Sequence, residues 1–324
     1  MTRRDDPPAR EAGPLPEISV VVAVGDLRER AGGCLASLLA QGLGGRMEVL
    51  LLDRGSPGAA PVPGAASPSV RRLPQPPGAT FSAMRAAGVA AARAPVVAFV
   101  EEHVRVRPGW AEALLAAYAD GWDAVGAAVV VGNPGSGRAD AVGLMSYGLW
   151  QPPVEGGETA MLPGHNASYR TAVLRALGDD LEPLLHGDLE LQQRLRADGR
   201  RLYLEPRAVI EHLCETSFFQ ISRGLFLWYR CYGPLRARRR GWSRLRRAGY
   251  VAATPLIPLY FLVRFALHLH RRRSPHLGLL LRHAPGVLLA HLCAAAGQAL
   301  GLLRGEGDAP ARFTDYELHQ PRPL

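Results

Sequence analysis

"VVAFVEEHVRVRPGW", residues 96–110, decides how the chain is read. Five apolar or small residues, Val96 to Val100, suit a strand buried on both faces. The run passes straight into Glu101, Glu102 and His103, before Pro108 and Gly109 restart the chain. A core strand with such an end stops either in a solvated turn or at one wall of a site. Working backwards, "ISVVVAV" (18–24) and "MEVLLLD" (47–53) read as two more buried strands, the second stopped by "RGSPG". Between them, "LRERAGGCLASLLAQ" places Leu27, Cys34, Leu35, Leu38 and Leu39 at helical spacing. A Pro/Gly/Ser-rich loop is expected over residues 54–79, then an Ala-rich helix in "FSAMRAAGVAAARA". Forwards, "GWAEALLAAYADG" reads as a helix and "DAVGAAVVV" as a fourth strand. This alternation predicts an α/β fold with right-handed βαβ units and a mostly parallel sheet flanked by helices. Such sheets bind ligands beyond the carboxyl ends of their strands. Asp53 and the Glu101-Glu102-His103 run both fall there, and two acidic ends on neighbouring strands favour a site over a turn.

The 324 residues suffice for one large domain with an appendage. All 38 residues counted as Lys+Arg are arginine, and the formal net charge is +9. Cys34, Cys214, Cys231 and Cys293 lie far apart without a CxxC pair, which points to reduced thiols and excludes a zinc ribbon. Residues 1–16 carry charges and prolines but no apolar core, so a disordered lead-in is expected rather than a signal peptide.

The last third changes character. "RARRRGWSRLRR" (236–247) is followed by the apolar segments 250–269 and 277–303, interrupted by Pro255, Pro258, Arg264 and Pro285. Each approaches the ~20 residues a membrane span requires. Arginines flank the first segment on both sides, and a simple span would put one cluster outside, against the positive-inside bias. Broken helices lying in an anionic leaflet fit better. Nucleic acid is the other partner for a basic run, but adjacent apolar helices and the lack of a nucleic-acid-binding motif argue against it.

"ISVVVAVGD", "CLASLLAQ" and "MEVLLLDRGS" together resemble the opening of the family 2 glycosyltransferases, which have the GT-A nucleotide-sugar fold. The resemblance runs on through "MRAAGVAAARAPVVAFVEEHVRVRPGWAEALL", "LPGHNASYR", "HGDLELQQRLRADGRRLYLEP" and "AVIEH", covering residues 17–230 in the family's order and spacing. The resemblance, with the composition of the last third, leads us to expect a GT-A domain at 17–235, membrane-associated helices at 236–305 and a tail at 306–324.

The resemblance also implies roles. A DxD-type motif holds a divalent cation, Mn²⁺ or Mg²⁺, against the donor diphosphate, which places metal ligands at Glu102, His103 and His212. Asp188 takes the place of the base that deprotonates the acceptor; by itself, Asp before a helix is also a common N-cap. Ala23, Asp53, Arg85, Glu101, Gly164 and Asn166 would contact the nucleotide-sugar. Gln220 and Arg223 match the family's QxxRW element weakly, with Gly224 where its Trp stands. Arg54 replaces the second carboxylate of the family's DDGS motif, and Gly187 replaces the acidic neighbour of the base. The implied activity is inverting, metal-dependent sugar transfer from a nucleotide-sugar to a lipid-linked or polysaccharide acceptor, at the cytoplasmic face of a bacterial plasma membrane. The substituted motifs admit one alternative, a family member that binds donor or lipid without transfer.

Overall fold

The computed structural model describes residues 15–271 and 273–321, so nearly all of the expected lead-in lies outside the described residues. The α/β part comprises β1 (Ile18–Val24), α1 (Arg28–Leu39), β2 (Met47–Asp53), β3 (Val70–Pro74), α2 (Phe81–Ala91), β4 (Val96–Phe99), β5 (Val104–Val106), α3 (Trp110–Ala119), β6 (Ala124–Val131), α4 (Arg138–Tyr147), β7 (Gly157–Glu158), β8 (Ala167–Arg170), α5 (Thr171–Arg175), α6 (Leu181–His186), α7 (Asp188–Ala197) and β9 (Leu202–His212). Helices follow: α8 (Phe218–Arg239), α9 (Arg244–Ala252), α10 (Ile257–Arg271), α11 (His276–Arg282), α12 (Ala284–Arg304) and α13 (Ala309–His319).

The strands form one sheet in the order β3-β2-β1-β4-β8-β6-β9-β5, with β7 on β9. Its first four strands are parallel. From there it is mixed: β8 runs antiparallel to both β4 and β6, while β6 and β9 are parallel. The continuous apolar runs follow from burial on both faces. Val20, Val22 and Val24 of β1 enter one core, and Val21 and Ala23 enter the other.

The expected loop 54–79 contains β3, an edge strand with little apolar signal. Its Arg71 and Arg72 are partly exposed and neutralise Glu48 and Asp53 of β2.

The helical part is not a separate layer. α8 runs across the predicted boundary at 235/236, and α12 packs along it at backbone distance. A Cβ on Gly297 or Gly301 would come within 2.2 Å of the carbonyl oxygen of Phe226 or Arg230. Pro285 sits in the first turn of α12, where its missing N–H costs nothing, so that helix is unbroken over 21 residues. By length and composition α12 is long and apolar enough to cross a membrane, whereas α9 and α10 qualify only as a pair bent by 70°. α10 turns Leu259, Tyr260, Phe261, Val263 and Leu267 outward.

Candidate active site

The site begins at the carboxyl end of β4. β4 ends at Phe99, and residues 101–104 form a turn closed by Val104 N donating to Glu101 O at 3.0 Å, on which Glu101 and Glu102 meet different partners. Glu101 meets β9 and the turn before β8: its Oε2 accepts from Asn166 Nδ2 at 2.6 Å and lies 3.4 Å from His212 Nε2 and 3.6 Å from His103 Nε2. The two imidazole nitrogens are themselves 3.1 Å apart. Lone pairs that close repel, so the pair shares a proton or faces a cation. Glu101, His103 and His212 are all buried, with one donor atom from each inside a 4.8 Å group. One carboxylate oxygen and two imidazole nitrogens are a donor set that fits a divalent metal ion. Burial alone would push the Glu101 carboxyl up. The His103 charge and hydrogen bonds from His165 and His212 outweigh that and hold it well below the usual range.

The geometry differs from the expectation at two residues. Glu102, expected among the metal ligands, instead forms a buried ion pair with Arg30 of α1 and accepts a long 3.4 Å bond from Gly25 N. Glu101, expected at the nucleotide-sugar, takes the place in the cluster.

Asp188 opens α7 on the far side of the turn. Gly187 is the N-cap and Asp188 makes no capping bond. Its Oδ1 instead accepts from Arg85 Nη2 at 3.0 Å, and Oδ2 lies 3.1 Å from His165 Nε2. The other ring nitrogen of His165 reaches Glu101 Oε1 at 3.0 Å, so one imidazole joins the cluster to the candidate base. Burial pulls the His165 pKa down, but Asp188 and Glu101 together raise it above the ordinary value. A ring charged in this way donates from both nitrogens. Gly164 permits the approach: a Cβ there would stand 3.2 Å from Asp188 Oδ2. Arg85, expected at a phosphate, also donates to Leu185 O at 2.6 Å and lies 4.2 Å over the Phe99 ring.

A basic region occupies the ends of β1 and β2. Asp53 accepts from Arg28 at 2.8 Å, Arg72 at 2.5 Å and Gly55 N at 2.9 Å. Ala23 is buried one residue before the end of β1. Helix α13 lies across these strand ends. Arg30 donates to the carbonyls of Glu317 and Gln320, Arg54 pairs with Asp315, and the Thr314 hydroxyl accepts from Phe81 N. Tyr316 donates to the buried Glu215, and its ring lies 2.4 Å from where a Gly224 Cβ would be. The space beside Gly224 is thus filled by α13. Arg223 is exposed, and neither it nor Gln220 lines the cavity beside the cluster, which Ile221 and Gly224 do.

That cavity, of about 370 Å³, lies between the Glu101–His165–Asp188 group and helices α4, α8, α12 and α13. Sequence reasoning missed His165 and Glu215 as well as the whole contribution of α13. For His165 a signal existed, an imidazole between the two residues already chosen, Gly164 and Asn166.

The sheet, with its acidic and imidazole group beyond the end of a central strand, is of the GT-A type. Residues 19–178 match the model for Glycosyl transferase family 2. Asp188, His212 and all helices from α6 onward lie past the matched residues. No curated protein matches the chain. Among solved structures, a crystal structure of GalNAc-T7 with UDP, GalNAc and Mn²⁺ is similar at 15% identity and a TM-score of 0.46. The similarity covers 61% of this chain and 43% of that one, less than half its length.

Proposed function

We propose that the protein transfers a sugar from a nucleotide-sugar to an acceptor hydroxyl with inversion, using a divalent cation, at the cytoplasmic face of a bacterial membrane. The observation that carries this reading is the placement of Asp188 and the Glu101 cluster on one cavity, linked by His165. Glu101, His103 and His212 would hold the cation; the two imidazoles favour Mn²⁺ over Mg²⁺, which prefers oxygen ligands. When bound, it supplies neutralisation of the charge that builds on the departing diphosphate. Asp188 accepts the acceptor's proton as the new bond forms, while Arg85 and His165 hold its carboxylate in place. Asp188, whose carboxylate faces the cavity at the start of α7, is the proposed base of a single displacement. Ala23, Asp53 and the arginines around them are the proposed donor end. The outward apolar face of α10, with the exposed Arg244 and Arg246 of α9, supports peripheral or monotopic contact with an anionic leaflet.

The second reading, binding without transfer, is favoured by one observation: Asp53 and Glu102 already have arginine partners. A screen of UDP-, GDP- and dTDP-sugars with Mn²⁺ separates the two, read by thermal shift and by release of free nucleoside diphosphate. Binding with release supports transfer, binding without release supports the second reading, and no binding to any donor defeats both.

A further inference from the structure

Helix α13 stands between the two halves of the proposed site. Ala23, Asp53 and Arg28 at the strand ends do not line the cavity that holds Asp188 and Glu101, whereas Phe313, Tyr316 and Glu317 of α13 do. The Phe313 ring lies 6.2 Å from that of His165, and Asp315, two residues further on, pairs with Arg54. The helix thus reaches from the turn before β8 to the arginine region. A nucleotide-sugar with its nucleoside at Asp53 and its diphosphate at the Glu101 cluster would have to pass through the volume that α13 fills. The contact is close: a Cβ on Gly25, just past β1, would come within 2.5 Å of Leu318 O.

What holds α13 in place is the positive charge that a diphosphate would use. Carbonyls at the C-terminal end of a helix carry partial negative charge. Those of Glu317 and Gln320 accept from Arg30 at 3.1 and 2.7 Å, and Asp315 supplies a full carboxylate to Arg54. Thr314 adds an acceptor for Phe81 N at the start of α2, at 2.8 Å. Phe313 and Leu318 are buried beneath, so the seated helix is stable without a ligand. Its connection to α12 is residues 305–308, in which Gly305 and Gly307 take φ of 76° and 52°. Glycine crosses between left- and right-handed backbone at little cost, which suits such a short connection to act as a hinge. We propose that α13 is a self-inhibitory plug: seated, it stands in for the nucleoside diphosphate at the arginine end, and donor binds only when the helix swings out on residues 305–308. This assignment rests on the transfer reading for the place of the nucleotide, but it concerns binding and not turnover.

The test compares the full chain with a T314V/D315A variant, in which the acceptor for Phe81 N and the partner of Arg54 are lost while Phe313 and Leu318 stay. Apparent affinity is reduced by the fraction of chains that are open, so loosening the plug tightens binding. Calorimetric titration with UDP, GDP and dTDP in Mn²⁺ buffer should show the best of the three binding about tenfold tighter to the variant, the effect of losing one hydrogen bond and one ion pair. In the unaltered chain, addition of the same nucleotide should speed hydrogen exchange over residues 311–319 of α13. Should the variant fail to fold, that exchange measurement decides alone. Equal or weaker binding to the variant, or protection of residues 311–319 by the nucleotide, would make α13 a bystander or a part of the donor pocket and overturn the proposal. No binding to either chain overturns it together with the transfer reading. Tighter binding to the variant, with no release of nucleoside diphosphate from any nucleotide-sugar by either chain, defeats the transfer reading and leaves the plug standing.

Discussion

Exchanging one carboxylate at a time separates Glu101 from Glu102. Both are buried and adjacent in sequence, yet the structure gives them unrelated tasks. Glu102→Gln removes the partner of Arg30, whose side chain is 5% exposed. Breaking a buried ion pair from one side costs about 3–5 kcal/mol. The guanidinium keeps the carbonyls of Glu317 and Gln320 as acceptors, so the lower end of that range, about 3 kcal/mol, applies. At ~2 °C per kcal/mol for a chain of this size, the melting temperature should fall by roughly 6 °C. Mn²⁺ affinity should stay within about threefold of wild type, since no cluster atom is touched. Glu101→Gln keeps the shape and an oxygen for Asn166 but removes the charged ligand. Mn²⁺ affinity should then drop by at least about 10²-fold, more than is usual for losing a supporting hydrogen bond. Titration of the purified chain with Mn²⁺, followed by electron paramagnetic resonance of the free ion, reads both affinities, and circular dichroism reads the melting. If Mn²⁺ binding is lost in Glu102→Gln and kept in Glu101→Gln, the cluster is misassigned.

Three further outcomes are expected. Asp188→Asn retains an acceptor for Arg85 but cannot take a proton, so turnover should fall about 10²-fold or more with donor binding little changed; turnover near wild type would remove the base. Glu48 lies at the opposite end of β2; burial pushes its carboxyl up, but bonds from Ser19, Arg71 and Arg93 outweigh this and lower its pKa. Its stabilising contribution is therefore complete above the ordinary carboxylate range and lost as pH falls through the lowered value, so Glu48→Gln should lower the melting temperature at neutral pH and flatten its acid-side decline; parallel melting curves against pH would contradict this. Replacing Leu259, Phe261 and Leu267 by serine should weaken sedimentation with anionic vesicles without lowering the melting temperature, because all three side chains already face outward; unchanged vesicle binding would exclude α10 as the contact.

The parts of the fold legible in the sequence are those whose burial is complete. β1, β2, β4 and β6 announce themselves because both faces are covered and nearly every residue must be apolar. β3 and β7 are short or half-exposed edge elements, with arginine, proline, glycine and glutamate in place of an apolar run, and nothing in their composition distinguishes them from loop. The antiparallel insertion of β8 between β4 and β6 is a matter of pairing, which local periodicity does not carry. The expected break in 277–303 falls at residue 283, between α11 and α12. Pro285 inside an apolar stretch reads as a break, and its position in the first turn emerges only once the end of α11 is known.

At the site, the residue types were legible and their partners were not. Glu101, Glu102 and His103 fall in a turn between β4 and β5, closed by Val104 N donating to Glu101 O, and the sequence does not say which of the three side chains such a turn aims at His212. Nor does any local rule lead from residue 30 to residue 317, or from residue 224 to residue 316. Those pairings arise because α13 returns across the strand ends, and that return also accounts for the glycine at 224: Tyr316 occupies the volume that a larger side chain on α8 would need. What reads in the sequence as a missing ring at 224 is, in the folded chain, a volume filled by Tyr316 of α13. The arginine at position 54 follows the same logic, since the carboxylate it meets is Asp315 of that helix. Both residues fit the covering helix, and removal of α13 would leave a cavity beside Gly224 and an Arg54 that keeps Ala79 O but loses its carboxylate.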